Sequence, residues 1–176
     1  MIPRTYAQAK AEKQKSTARK ISRAAKRKEL LAGKPGFDKR GKPWTVGKIK
    51  KRIVRLLGLR DKKINGPFCR YKWWCPKWQQ EGQHLGDTAC HLVPRSEGLA
   101  ALLDPDNVVW GCGSVNNAER RRREYFATEV HPQRFGSGFM NERRRIARFT
   151  KFDAKRADLV AMLAELEAAY GTGIGG

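Results

Sequence analysis

The residues best suited to chemistry lie between positions 87 and 119. Cys90 and His91 stand side by side in "ACHLVPRS", followed by "DPDN" ending at Asn107 and then by "GCGSVNNAERRRR". A Cys-His pair admits three chemistries: two zinc ligands, a thiol nucleophile with its base, or a base beside a metal ligand. A neutral imidazole can take a proton from an attacking water near neutral pH. A divalent cation can offset the charge that grows on a phosphoryl group, and an Asn side chain or backbone carbonyl can hold the imidazole in orientation. The order strand, loop, strand and helix, with His91 on the first strand and Asn116 at the helix start, would bring such groups to one phosphodiester. Adjacent strand residues point to opposite faces. Cys90 therefore shares a site with His91 where the strand is ending, as Pro94 allows, or else is a buried, inert thiol.

The remaining cysteines suggest a second centre. Cys69 and Cys75 are separated by five residues, and Cys112 follows far downstream. A tetrahedral structural zinc needs a fourth ligand, which His84 or Cys90 could supply. Alternatively the region holds no zinc and is packed by Trp73, Trp74 and Trp78, whose rings could also stack on exposed bases. With no secretory signal expected at the N-terminus, the cysteines read as metal ligands or thiols rather than disulfides.

The elements that must position these groups are uneven in clarity. A helix is predicted over 45–57, with Thr45 as N-cap, Val46, Ile49, Ile53, Leu56 and Leu57 on one face, and Gly58 as its stop. Lys48, Lys50, Lys51, Arg52 and Arg55 make its other face basic. Residues 68–110 read as hairpin-rich, with "NVVWGC" as a short strand. A helix should open at Ser114 or Val115 and stop before Pro132, with His131 as its C-terminal cap. After a loop containing "GSG", "RFTKFDAKRADLVAMLAELEAAYG" reads as a helix. Thr150 and Asp153 would form its capping box, Leu159, Met162, Leu163, Leu166 and Tyr170 its apolar stripe, and Gly171 its end.

Charge points to the partner. The net charge is +21, and residues 1–66 carry 22 Lys/Arg against 4 Asp/Glu while residues 67–176 carry 16 against 13. So basic a half attracts a polyanion, and nucleic acid binding with strong salt dependence is the natural expectation. No long apolar stretch or lipidation motif is present, so a membrane is not expected as partner and a soluble, cytosolic protein is. The divisions expected are a basic, flexible nucleic-acid-binding arm (1–43), an amphipathic basic helix (44–66), a catalytic core (67–131), a helical extension (132–171) and a disordered tail (172–176).

"CHLVPRS…LLDPDNVVWGCGSVNNAERR" resembles the HNH, or ββα-metal, endonuclease motif, and its surroundings are similar to the NinG (Rap) recombination-protein family of phage lambda. In the flanks, "PWTVGKIKKRIVRLLGLRDKKINGPFC" and the C-terminal helix stand in the family's order, and the likeness covers roughly residues 43–170. It implies an α+β fold: a small HNH-type ββα-metal core with flanking helices and a basic, flexible N-terminal arm. It implies metal-dependent hydrolysis of DNA, branched or recombination-intermediate, in the cytosol of a phage-bearing bacterial host. His91 matches the general base, Asn107 the Asn that supports the loop, and Asn116 a ligand of the catalytic ion, which would be Mg²⁺, Mn²⁺ or Zn²⁺. Cys90 stands where an Asp or His is usual, so Cys90 or Asp87 would complete that ion's ligands. A thiolate there favours zinc over magnesium. Where the family carries two Cys-x-x-Cys pairs, this chain offers Cys69, Cys75 and Cys112, with Val115 at the place of the fourth. Glu119 replaces a frequent Lys. Arg95, Arg120, Arg121, Arg122, Arg123, Lys50, Lys51 and Arg52 are the expected DNA contacts, although an arginine run is also an ordinary solvated helix face. The rival reading is a non-catalytic, zinc-stabilised DNA- or RNA-binding protein. Paired cuts at a junction would suggest a dimer.

Overall fold

The computed structural model describes residues 6–94, 98–150 and 154–171, in two compact units that divide between Thr45 and Val46. The first unit is built on helix α1 (Tyr6–Leu31). Its Ala, Lys and Arg content favours helix, and the side chains from Arg19 to Leu30 are exposed. After α1 the chain turns back on Asp38, whose Oδ1 accepts the N–H groups of Arg40 and Lys42 at 2.9 and 2.8 Å.

The second unit is helix-rich around one small sheet. Strands β1 (Thr88–His91) and β2 (Val108–Gly111) pair antiparallel, with Cys90 opposite Val109 and His91 opposite Val108. This is a mixed α+β arrangement in which two strands are followed by helix α5 (Gly113–Arg121). Helix α2 (Val46–Asn65) packs on both strands and on α9 (Arg156–Tyr170). Ile49, Ile53, Leu56 and Leu57 of α2 are buried, as are Leu159 and Leu163 of α9, while Val46 stays exposed.

Gly58 does not stop α2. The helix runs through it to Asn65 because a bare Cα is needed there. A Cβ at Gly58 would lie 2.6 Å from the Ala89 Cβ and 3.2 Å from the Trp110 ring. The extra turns carry Asp61, whose Oδ2 accepts the Trp110 N–H at 2.8 Å and so fastens α2 to β2.

Four further expectations give way. Among its described residues, the stretch 68–110 holds one strand pair and not a series of hairpins. Between Cys69 and β1 the chain forms a 3₁₀ turn (Lys72–Trp74) and the short helix α3 (Pro76–Glu81), joined by an isolated bridge of Phe68 with Leu85. The chain also stays helical past Pro132: α5 passes through α6 (Arg123–Tyr125) and a π-helical turn (Phe126–Val130) into α7 (His131–Phe135). The wider π turn precedes the proline, whose ring and missing N–H an ordinary helix interior rejects. The "GSG" loop reduces to Gly136 (φ 95°), and Ser137 opens α8 (Ser137–Phe149), which buries Met140 and Ala147. Helix α9 accordingly begins later than predicted. Lys155 is its N-cap, with the Lys155 N–H given to Asp158 at 2.8 Å; the Asp153 cap lies outside the described residues.

The loop between the strands contains α4 (Leu99–Leu103) and a 3₁₀ turn (Pro105–Asn107). Asn107 is fully buried and holds this loop from inside: its Oδ1 accepts the Val93 N–H at 2.7 Å, and its Nδ2 donates to Val93 O at 2.9 Å and Ala101 O at 2.7 Å. Arg143 of α8 clamps the same loop through Asp104, at 2.9 and 3.0 Å.

Candidate functional site

The structure gathers two clusters on either side of the strand pair. In the first, ligand atoms of Cys69, Cys75, His84 and Cys112 all lie within 4.8 Å of one another. Cys75 Sγ is 3.3 Å from Cys112 Sγ and 3.6 Å from His84 Nε2. A zinc–sulfur bond of about 2.3 Å in a tetrahedron sets ligand-to-ligand edges of about 3.8 Å, so this set is close to the size of a zinc site. Local structure treats the three thiols differently: burial pushes the Cys75 thiol up, and only Cys112 is drawn toward the thiolate. Cys75 and Cys112 are the N-cap residues of α3 and α5, where backbone N–H groups act in favour of a thiolate, at Cys75 against the larger effect of burial. Hydrogen bonding from Cys69, and the backbone N–H of Val115, pull the Cys112 thiol down, whereas the Cys69 thiol, bonded to Cys112 and buried, is pushed up.

His84 is oriented by its other nitrogen: Nδ1 lies 3.2 Å from Gly82 O. Donation there leaves the Nε2 lone pair toward the sulfurs, the arrangement that metal-bound histidines use. The Trp78 ring packs against the imidazole with centroids 5.9 Å apart. Trp73, in contact with Trp78 on its outer side, is 70 % exposed. Cys90 is not in this cluster, and His84 is the fourth donor.

The second cluster surrounds His91. Its imidazole lines a cavity of about 520 Å³ together with Asn116, Glu119, Arg120 and Arg123, and a neighbouring one of about 270 Å³ with Lys50, Lys51 and Leu102. Both α2 and α5 therefore present basic side chains beside this one histidine. His91 Nε2 is 3.3 Å from Leu102 O, and the loop that supplies this carbonyl is the one Asn107 pins. Burial pushes the Glu119 carboxyl up to about 7, with Arg123 acting in the opposite direction.

The other predicted residues are distributed as follows. Cys90 points to the opposite side of β1 from His91 and is fully buried, in a space kept open by Gly111, where a Cβ would lie 2.6 Å from the Cys90 Sγ. Burial raises its thiol well above the ordinary value. Asp87 is engaged at the start of α5, where its Oδ1 accepts the Gly113 N–H at 2.9 Å. The structure brings neither to the cavity beside His91 and Asn116. Arg52 is turned to α9 in an ion pair with Glu167 at 3.0 Å. Arg121 and Arg122 are exposed away from the cavity lining, Arg122 over the Tyr125 ring at 4.2 Å. Arg95 lies outside the described residues.

His131 closes the π-helical turn but does not end the helical run, which continues from it into α7. It is buried among Tyr71, Phe126 and Phe135, and its Nε2 is 3.3 Å from the Tyr71 hydroxyl. Burial, with Arg144 nearby, lowers it to about 4, so the ring that pairs with the Tyr71 hydroxyl is neutral. Sequence reasoning also passed over Asp61, and it saw Glu119 as a departure from a pattern; an acid in the middle of a basic, amphipathic helix is the signal that could have marked both.

Among the described residues no helix is long and apolar enough to cross a membrane. Comparison with protein-family models, curated proteins and solved structures finds no match to this chain.

Proposed function

We propose that this chain is a metal-dependent DNA endonuclease of the HNH type, acting on branched or recombination-intermediate DNA in a phage context. The observation that carries the reading is that His91 and Asn116, from a strand and the helix following its partner strand, line one basic cavity whose adjoining loop is held by Asn107. In the tautomer that gives Nε2–H to Leu102 O, Nδ1 of His91 is the nitrogen that takes the proton from the attacking water. Asn107 keeps that carbonyl in place through its three hydrogen bonds. Arg120 and Arg123 attract the phosphate on one side of His91, and Lys50 and Lys51 extend the same attraction on the other. A divalent ion, when bound, offsets charge on the phosphoryl and leaving oxygens, and the Asn116 amide oxygen is a candidate to hold it.

A second reading has an observation of its own. The Cys69, Cys75, His84 and Cys112 set suits a structural zinc, and the chain is strongly basic, so a zinc-stabilised DNA- or RNA-binding protein would use both features and need no chemistry at His91. Because the zinc donors lie apart from His91, His91→Ala should leave metal content and fold intact under either reading. Cleavage separates them. A labelled four-way junction and a matched duplex, incubated with Mg²⁺ or Mn²⁺, should be cut by the wild type and not by His91→Ala; no metal-dependent cut in any lane sinks the nuclease.

A further inference from the structure

We propose that Glu119, together with Asn116, forms the binding site for the divalent cation beside His91, in place of the Cys90 or Asp87 that the sequence pattern favours. The proposal rests on the nuclease reading for its use, but its geometry stands separately. Among the described residues that line the His91 cavity, Glu119 carries the one carboxylate. Asn116 and Glu119 are three residues apart on α5 and both line that cavity, as residues on one helix face do. A hard cation such as Mg²⁺ or Mn²⁺ is held by one or two carboxylates and a few neutral oxygens, the rest of its shell being water and substrate phosphate. Glu119 and Asn116 offer that set, with His91 facing them from β1.

The alternatives do not line this cavity. Cys90 is on the far face of β1 with its sulfur against Gly111, and a thiolate is a poor partner for either ion. Asp87 is tied to the first turn of α5 through the Gly113 N–H, six residues before Glu119 and so about 9 Å down the helix axis. Glu119, by contrast, is partly buried and lines the cavity itself. Arg120 and Arg123 on the same cavity then have a phosphate as counterpart, and the two arginines, the cation and a phosphodiester form a balanced set.

The test measures Mn²⁺ binding by electron paramagnetic resonance on the full-length, zinc-loaded chain without DNA. Glu119→Gln and Asn116→Ala should each weaken Mn²⁺ by about tenfold or more, while Asp87→Asn, Cys90→Ala and His91→Ala leave it unchanged. Zinc content and circular dichroism verify that each variant is folded, and Glu119→Ala provides a second substitution at the same position. Cleavage by Glu119→Gln should recover in part as Mn²⁺ is raised, whereas His91→Ala should not recover. Wild-type Mn²⁺ affinity in both Glu119 variants, or a loss confined to Asp87→Asn or Cys90→Ala, overturns the assignment and leaves the nuclease reading intact. Loss of Mn²⁺ in Glu119→Gln with no cleavage by any form of the protein supports the site and sinks the nuclease.

Discussion

His84 belongs to the metal cluster because both of its nitrogens have a role. Nδ1 lies at Gly82 O and Nε2 at the cysteine sulfurs, so donation from Nδ1 to that carbonyl would leave Nε2 to a cation. Native mass spectrometry should find one zinc per chain, and Cys112→Ser should bind it at least about tenfold more weakly; a metal-free wild type after purification with zinc would contradict this. His131 makes a different residue-scale statement. Its folded value near 4 lies below the ordinary 6.5, so the unfolded chain takes up the proton first. Its contribution is full above about pH 6.5 and is lost as pH falls toward 4. The loss amounts to about 3 kcal/mol when complete. Urea unfolding between pH 7.5 and 5 should therefore show a falling stability that His131→Phe flattens. Equal slopes in the two proteins would mean that the acid sensitivity arises elsewhere.

At the scale of elements, Gly58 and Gly47 separate helix propensity from packing. Both are in α2, but a Cβ at Gly47 meets nothing within 4 Å, whereas one at Gly58 strikes Ala89 and Trp110. Gly47→Ala should be neutral or stabilising by up to about 1 kcal/mol, and Gly58→Ala should cost about 1–3 kcal/mol, both read from the urea midpoint. The same glycine explains what was legible in the sequence. The apolar face of α2, the strand at Val108 and the Leu159–Leu163 stripe of α9 follow from periodicity, which is local. The end of α2 does not, because Gly58 is required by a sheet distant in sequence. The run from α6 to α8 was equally hidden: its π turn and its break at Gly136 replace the Pro132 and "GSG" punctuation that normally ends helices. Around the cysteines, metal-ligand spacing identified Cys69, Cys75 and Cys112 and left His84 and Cys90 as equals. The choice between them was settled by the bridge of Phe68 with Leu85, which brings His84 beside Cys69.

For the whole molecule, the proposed function would use the distribution of charge to gather DNA. Residues 1–45 carry 14 Lys/Arg against 3 Asp/Glu and residues 46–176 carry 24 against 14, so each unit contributes about half of the net charge. In the proposed function the first unit adds affinity without selecting a sequence. Replacing Arg19, Lys20, Arg23 and Arg27 by Gln in the full chain should weaken duplex binding and reduce the log–log salt slope by up to about 4; an unchanged slope would remove α1 from the DNA contacts. The central claim concerns the histidine between the two basic cavities. It is tested most directly by nuclease assays of zinc-replete wild type and His91→Ala on a labelled four-way junction with Mn²⁺. The account predicts cuts by the wild type and none by His91→Ala, with junction affinity and zinc content equal in the two. Equal cutting by both proteins, or cutting by neither, would contradict it.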